Sequence, residues 1–173
     1  MKKTADERFE RLLGEHQSLV FSIALRLLRD RALAEELAQD VFVQLYQHLD
    51  NIETDDHVKY WLRRVTVHRS IDEVRRRKLR PKLCLEEIPE PSSRPASPDV
   101  LMDDMLRKFV AALPEKARAI VTLRFQEDLD PIEISRVMDL PASSVKSLLH
   151  RSLRLLRSKV ERAAHQPQLE LKT

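Results

Sequence analysis

The stretch Asp130 to Arg157, DPIEISRVMDLPASSVKSLLHRSLRLLR, decides how this chain is read. It describes two helices and a tight turn. Asp130 is placed to cap the first helix, and Pro131 takes the first helical position, where its missing N–H costs nothing. Glu133 is placed to reach back and complete a capping box. Ile132, Ile134, Val137 and Met138 supply the buried side, and Asp139, Leu140 and Pro141 make the break. The second helix sets Val145, Leu148, Leu149, Ser152 and Leu156 at helical spacing on its inner side. Ser144, Lys146, Ser147, His150, Arg151 and Arg154 fall outward. Two short helices joined by a turn of about three or four residues, the second bearing hydroxyls and cations outward, describe a DNA-reading helix-turn-helix.

The competing reading is a merely solvated polar face. An ordinary solvated helix mixes Glu with Lys, because opposite charges three or four residues apart support it. No carboxylate occurs between Leu140 and Val160. That support is absent here, which favours an external anion as the partner.

A chain of 173 residues suits one domain or two small ones. Gly14 is the only glycine, so neither a GxGxxG fingerprint nor a GxxxxGK phosphate loop is present. Leu, Arg, Ala and Glu dominate, which favours an all-α fold. Cys84 is the only cysteine, so neither an internal disulfide nor a zinc knuckle can be built. The six histidines are scattered without metal-ligand spacing, so no metal, cofactor or enzymatic activity is expected. The opening MKKTADERFERLL has no apolar core of a secretion signal, and no stretch approaches the roughly 18 to 20 apolar residues of a spanning helix. A cytoplasmic protein without a membrane partner is expected.

The net charge of +3 conceals a strong asymmetry. From Lys59 to Lys82 ten cations stand against two carboxylates, Asp72 and Glu73. Together with the C-terminal helix this makes two basic regions, which points to nucleic acid.

Apolar spacing predicts helices from about Asp6 to Arg29, Ala32 to Leu49 and His57 to Arg77, with an acidic loop from Asp50 to Asp56. These three helices can bury one core. Residues 81–98 hold five prolines with Ser92, Ser93 and Ser97, a composition that prevents a regular helix and reads as a linker. Helices resume from about Asp99 to Leu113 and from Lys116 to Phe125, and the helix-turn-helix follows. The expected architecture is two small helical domains joined by a Pro/Ser-rich linker: residues 1–80, linker 81–98, residues 99–164, and a tail from 165 to 173.

Order and motifs together resemble the bacterial RNA polymerase sigma factors, in particular the short two-domain extracytoplasmic-function group. AEELAQDVFVQLYQHL (Ala34 to Leu49) is similar to the family's polymerase-binding segment. YWLRRVTVHRSIDEVRRRK (Tyr60 to Lys78) is similar to its promoter-melting segment. The stretch from Leu113 to Arg157 is similar to its upstream-element-reading domain. The resemblance implies a protein that binds core RNA polymerase, directs it to promoter DNA and helps open the duplex. It also allows an anti-sigma protein as a further partner.

Carried over residue by residue, the resemblance places polymerase docking on Glu36, Gln39, Asp40, Val43 and Tyr46. Four of these recur at three- and four-residue steps as one stripe, with Asp40 flanking it. On the residues alone Tyr46 reads as core and the polar members as solvated. Promoter melting falls to Lys59, Tyr60, Arg63, Arg64, His68, Arg69, Arg75 and Arg76, with the loop Asn51 to His57 shaping a base pocket. His68 stands where relatives often carry an asparagine facing a flipped base. Trp61 reads as a core residue rather than a stacking platform, and Arg75 to Lys78 read equally as a solvated basic helix end.

In the upstream-reading helix, Lys146, Ser147, His150 and Arg151 are the base-edge candidates, and Ser143, Ser144, Arg124 and Arg154 the phosphate candidates. Relatives usually have Gly-Thr in place of Ser143–Ser144. They commonly have a glycine in the turn where this chain reads EDLD, so Asp128 must accept that turn's geometry, which Asp tolerates better than most residues. The linker carries Glu86, Glu87 and Glu90, and reads either as threading the polymerase RNA path or as a passive tether. The alternative for the whole chain is a stand-alone helix-turn-helix regulator that binds duplex DNA without polymerase.

Overall fold

The computed structural model describes residues 2–52, 54–79 and 98–165. The linker read at 81–98, apart from Pro98, lies outside these residues, as do Cys84 and the tail from 166 onward. Among the described residues the chain is all-helical: α1 (Lys2–Leu28), α2 (Arg31–His48), a 3-10 turn (Leu49–Asn51), α3 (Asp55–Leu79), α4 (Pro98–Ala111), α5 (Glu115–Phe125), α6 (Pro131–Met138) and α7 (Ala142–His165).

The helix boundaries follow from capping chemistry. α1 ends where Arg29 turns left-handed at φ 60°. Asp30 then caps α2, its carboxylate accepting from the Leu33 amide at 3.1 Å. At α6 the anticipated capping box is complete. The Asp130 carboxylate accepts from the amides of Ile132 (2.6 Å) and Glu133 (2.9 Å), and the Glu133 carboxylate accepts from the Asp130 amide (2.7 Å). Asp128 adopts φ 52° and Asp139 φ 55°. The turn before α6 therefore does impose on Asp128 the backbone conformation that glycine ordinarily takes.

One expectation needs correction. The acidic loop from Asp50 to Asp56 is shorter than its composition suggests. Leu49 to Asn51 form a 3-10 turn, Ile52 is buried, and α3 begins at Asp55, two residues before the expected start at about His57. The Arg8 guanidinium donates to the carbonyls of Leu49 (3.3 Å) and Ile52 (2.7 Å), which pulls the connection onto α1. Asp55 and Asp56 in the first turn of α3 complement its positive end, and Thr54 Oγ1 accepts from the His57 amide at 3.2 Å.

Helices α1 to α3 enclose a core that includes Leu12, Val20, Ala24, Ala34, Val41, Leu45, Val58 and Leu62, with Trp61 packed against it. The second core is not confined to the C-terminal helices. Ile23 and Leu27 of α1 and Val67 and Ile71 of α3 pack in one cluster with Ala119, Ile120, Leu123, Leu129, Ile134, Val137, Met138 and Val145. A smaller cluster joins Phe109 and Val110 of α4 to Leu113, Ala117, Val121 and Leu156. The two halves thus share an apolar interface.

Candidate nucleic-acid interface

The inner side of α7 is seated by Val145, Ser152 and Leu156, with Leu148 and Leu149 half-buried. Ser152 Oγ satisfies itself by donating to the Leu148 carbonyl at 2.7 Å. This fixes which side of the helix looks outward. Ser143, Lys146, Ser147, His150, Arg151 and Arg154 are all exposed, and Ser144 is half-buried. Among the described residues none of Lys146, Arg151 and Arg154 is held in an ion pair. A one-signed, unpartnered face on the second helix of a helix-turn-helix is suited to an anionic duplex. Arg124 is less free. It holds the turn before α6, donating to the Leu129 carbonyl (3.2 Å) and pairing with Asp128 (3.4 Å).

The candidates on α3 meet a different environment. Arg63 Nε and Nη2 donate to Glu127 Oε2 at 3.0 and 2.9 Å, and the two side chains are only 13% and 8% exposed. Arg64 Nη1 donates to the Arg136 carbonyl (2.9 Å), and Nη2 pairs with Asp139 (3.3 Å). Tyr60 donates to the same Arg136 carbonyl at 3.0 Å. His68 Nε2 lies 3.0 Å from the Val137 carbonyl. Arg69 pairs with Asp40 of α2 (3.2 Å), Arg75 with Glu115 (3.5 Å), and Arg76 with Glu73. Lys59 is exposed. Tyr60, Arg63 and Arg64 are thus engaged by the C-terminal half while Lys59, Arg75 and Arg76 stay exposed, and His68 faces a backbone carbonyl. Arg75 to Lys78 are all exposed, as a solvated basic helix end is, and they are ion-paired as well. Arg77 pairs with Asp30 (3.0 Å) and Lys78 with Glu115 (2.9 Å).

Several partners in this arrangement carry no local signal in the sequence. Asp139 reads only as part of the break between two helices, and nothing nearby in the sequence gives Glu115 or Glu127 a partner. Arg118 Nη1 donates to the Leu27 carbonyl at 2.8 Å, and burial pushes its pKa down. Gln126 Nε2 donates to Ser22 Oγ at 2.7 Å. A carboxylate at the start of α5 and another in the following turn, set against a helix with eight cations, were the only available hints.

On the opposite side of the N-terminal helices, α1 and α2 flank an apolar groove of about 930 Å³. Phe9, Phe21 and Phe42 form its walls, and Gln39, Val43 and Tyr46 line its α2 rim. Val43 is 56% exposed and Tyr46 47%, so Tyr46 is not a core residue. Its hydroxyl donates to Asp6 at 2.9 Å, and its ring meets Phe9 edge-on. Glu36 and Asp40 line a separate charged cleft with Arg69, Asp72, Glu73 and Arg76. The five docking candidates thus divide between two adjoining surfaces.

Fold and site together define an all-helical protein with a C-terminal helix-turn-helix whose second helix presents an exposed cationic face, the class of helical DNA-binding proteins. Comparison with known proteins gives the family. Residues 12–80 match the model of sigma-70 region 2, and residues 103–156 match that of sigma-70 region 4. The chain belongs to the sigma-70 family of RNA polymerase sigma factors, as an extracytoplasmic-function type. It is similar to the ECF RNA polymerase sigma factor SigW of Bacillus subtilis, 24% identical, with 92% of each chain covered. It is also similar to SigM of the same organism, 26% identical over 94% of this chain and 98% of that one.

Among solved structures, the fold matches the sigma factor RpoE of Bartonella quintana, solved with the anti-sigma factor NepR. The TM-score is 0.72 at 17% identity, covering 90% of this chain and 98% of that one. CnrH, solved with the cytosolic domain of CnrY, matches at a TM-score of 0.66 and 17% identity, covering 93% and 91%. The presence of both regions in order sets aside the stand-alone regulator. The protein is a sigma factor that binds core RNA polymerase and directs it to promoters. Among the described residues no helix is long and apolar enough to cross a membrane.

Proposed function

We propose that the division of labour follows the three surfaces just described. The outer face of α7 reads the upstream promoter element, with Lys146, Ser147, His150 and Arg151 at base edges and Ser143, Ser144 and Arg154 on phosphates. Arg124 positions the turn and reaches phosphate from there. Helix α3, through Lys59, Tyr60, Arg63, Arg64, His68, Arg69, Arg75 and Arg76, holds the melted strand. Gln39, Val43 and Tyr46, with Glu36 and Asp40 beside them, dock on polymerase. The protein works in the cytoplasm without cofactor or catalytic step of its own, and an anti-sigma protein is a natural partner, as NepR is for RpoE. Residues up to about 80 form the polymerase-binding and melting unit, and residues 99–164 the upstream-reading unit.

The observation that carries this reading is the exposed and unpaired cationic face of α7 beside a half-closed α3. Transcription from a promoter library by purified core polymerase, with and without this protein, tests it. Defined start sites that require the protein are expected, and Arg151→Ala should change the shared upstream sequence while Arg154→Ala lowers output without changing it. Protein-dependent start sites whose upstream sequence ignores every α7 substitution would overturn the assignment of this face.

A further inference from the structure

Two arginines on α1 hold the connection that leads into α3. The Arg8 guanidinium donates through Nη1 to the Leu49 carbonyl (3.3 Å) and through Nη2 to the Ile52 carbonyl (2.7 Å), so one planar fork spans both ends of that segment. Arg11 takes both carboxylate oxygens of Asp55, at 3.1 and 3.3 Å. The side chains of Leu49 and Ile52 are buried in the core of the first three helices. Between these anchors Asp50, Asn51 and Thr54 are exposed, and so is His57 in the first turn of α3. The side chains of Asn51 and His57 have no hydrogen-bond partner among the described residues. Lys59 and Tyr60 follow within the next turn. The connection is already closed by its own backbone, since the Ile52 amide donates to the Leu49 carbonyl at 3.2 Å. The two arginines add rigidity beyond that closure, and groups that recognise a ligand must be held to within about 0.5 Å.

We infer that Arg8 and Arg11 are positioning residues for base recognition in the melted strand: from α1 they hold residues 49–55 so that Asn51 and His57 meet the edge of an unstacked base beside Lys59 and Tyr60. The inference rests on the reading of α3 as the strand-holding helix and adds what sets base identity there. An Asn side chain presents both a donor and an acceptor, which a base edge can match, whereas a phosphate contact from Lys59 carries no sequence information. Neither arginine touches the DNA. Both act through the connection, so loosening it lowers discrimination between bases and leaves the grip on the backbone. Lysine at position 8 keeps the charge, but an ammonium on a flexible stem lacks the fork that spans two carbonyls.

The test uses holoenzyme formed from purified core polymerase and the full chain. Its probe is pre-melted promoter DNA in which each unpaired position carries, in turn, each of the four bases. Competition binding reads the base preference at every position, and the mean affinity over the four bases reads the grip on the backbone. The parent should prefer one base by about tenfold at one or two adjacent positions. Arg8→Lys and Arg11→Lys should each bring that preference, at the same positions, to about threefold or less. Their mean affinity should stay within about twofold of the parent, and their helicity by circular dichroism should be unchanged. Asn51→Ala should flatten the same positions. Glu10→Gln, exposed on the same helix and outside the clamp, should change nothing. Preference retained in both lysine variants, with or without a fall in mean affinity, would overturn the positioning role. A parent without base preference at any unpaired position would overturn base reading by this connection and leave the grip of α3 standing. Lys59→Gln with Arg76→Gln should lower mean affinity whatever the base; an unchanged value would overturn the α3 reading and the inference with it.

Discussion

Lys78 Nζ in the last turn of α3 lies 2.9 Å from Glu115 Oε2 in the first turn of α5. Each residue sits at the helix end that its charge favours. The Lys78 ammonium, with the Glu115 amide and Arg75 also contributing, holds the Glu115 carboxyl down from the usual 4.5 to about 2. A carboxylate whose pKa is depressed by folding stabilises the fold above its unfolded pKa and loses that contribution as pH falls toward the folded one. The contribution is therefore complete above pH 4.5 and lost on the way down to about 2. Urea unfolding of parent and Glu115→Gln should differ most at about pH 6, and the difference should shrink by about pH 3.

Glu127 is a buried partner rather than a surface acid, so removing it leaves Arg63 shut away from water. Glu127→Ala should cost about 2 kcal/mol in a denaturant titration, the scale of a lost hydrogen bond to a charged group. Replacing both residues by apolar ones, Arg63→Met with Glu127→Leu, should cost less than the single change, since no charge is then stranded. A double variant worse than the single one would show that the pair contributes more than mutual neutralisation.

Asp128 sits at φ 52° with its side chain in solvent. Asp128→Gly should leave stability unchanged or raise it slightly. Asp128→Ala keeps the Cβ but loses the local polar contacts by which Asp tolerates a left-handed backbone, and should lower it by up to about 1 kcal/mol. Thermal unfolding of the two variants side by side measures this.

Arg151 and Arg154 should separate in promoter binding. A bidentate base contact is worth about 1–3 kcal/mol of discrimination, so Arg151→Ala should flatten the preference at one position. A phosphate contact carries no sequence information, so Arg154→Ala should weaken all sites alike and lower the salt dependence by about one counterion. Binding of holoenzyme to a panel of single-base promoter variants at two salt concentrations distinguishes them.

Tyr46 packs edge-on against Phe9 on the rim of the apolar groove while remaining 47% exposed. Tyr46→Ala and Val43→Glu should leave helicity intact and weaken core polymerase binding by about 2 kcal/mol or more each, as central apolar anchors do. Retained affinity in both variants would place docking on the charged cleft of Glu36 and Asp40 instead.

Much of the fold was legible in short-range chemistry. The capping box of Asp130 and Glu133, the start of α6 at Pro131, the strained turn at Asp128 and the inward set Val145, Ser152 and Leu156 all depend on residues within about one or two helical turns of one another. The bare cationic face of α7 was legible for the same reason. Its charge follows from the absence of any carboxylate between Leu140 and Val160, and no distant acid reaches Lys146, Arg151 or Arg154 among the described residues. The loop before α3 was misread because its shape is set by Arg8, more than forty residues away in sequence, which gathers the carbonyls of Leu49 and Ile52.

For the stretch from Lys59 to Lys82, most of which is α3, the sequence determined only that ten cations face two local carboxylates. The tertiary structure decided that Arg63, Arg64, Arg75 and Lys78 meet Glu127, Asp139 and Glu115, acids between 37 and 75 residues away along the chain. Ion pairing depends on distance through space, and that distance is set by the apolar seal of Ile23, Val67 and Ile71 against Ile120, Leu123 and Ile134. Helical periodicity shows that each of these side chains is buried, but it carries no information about which helix covers it.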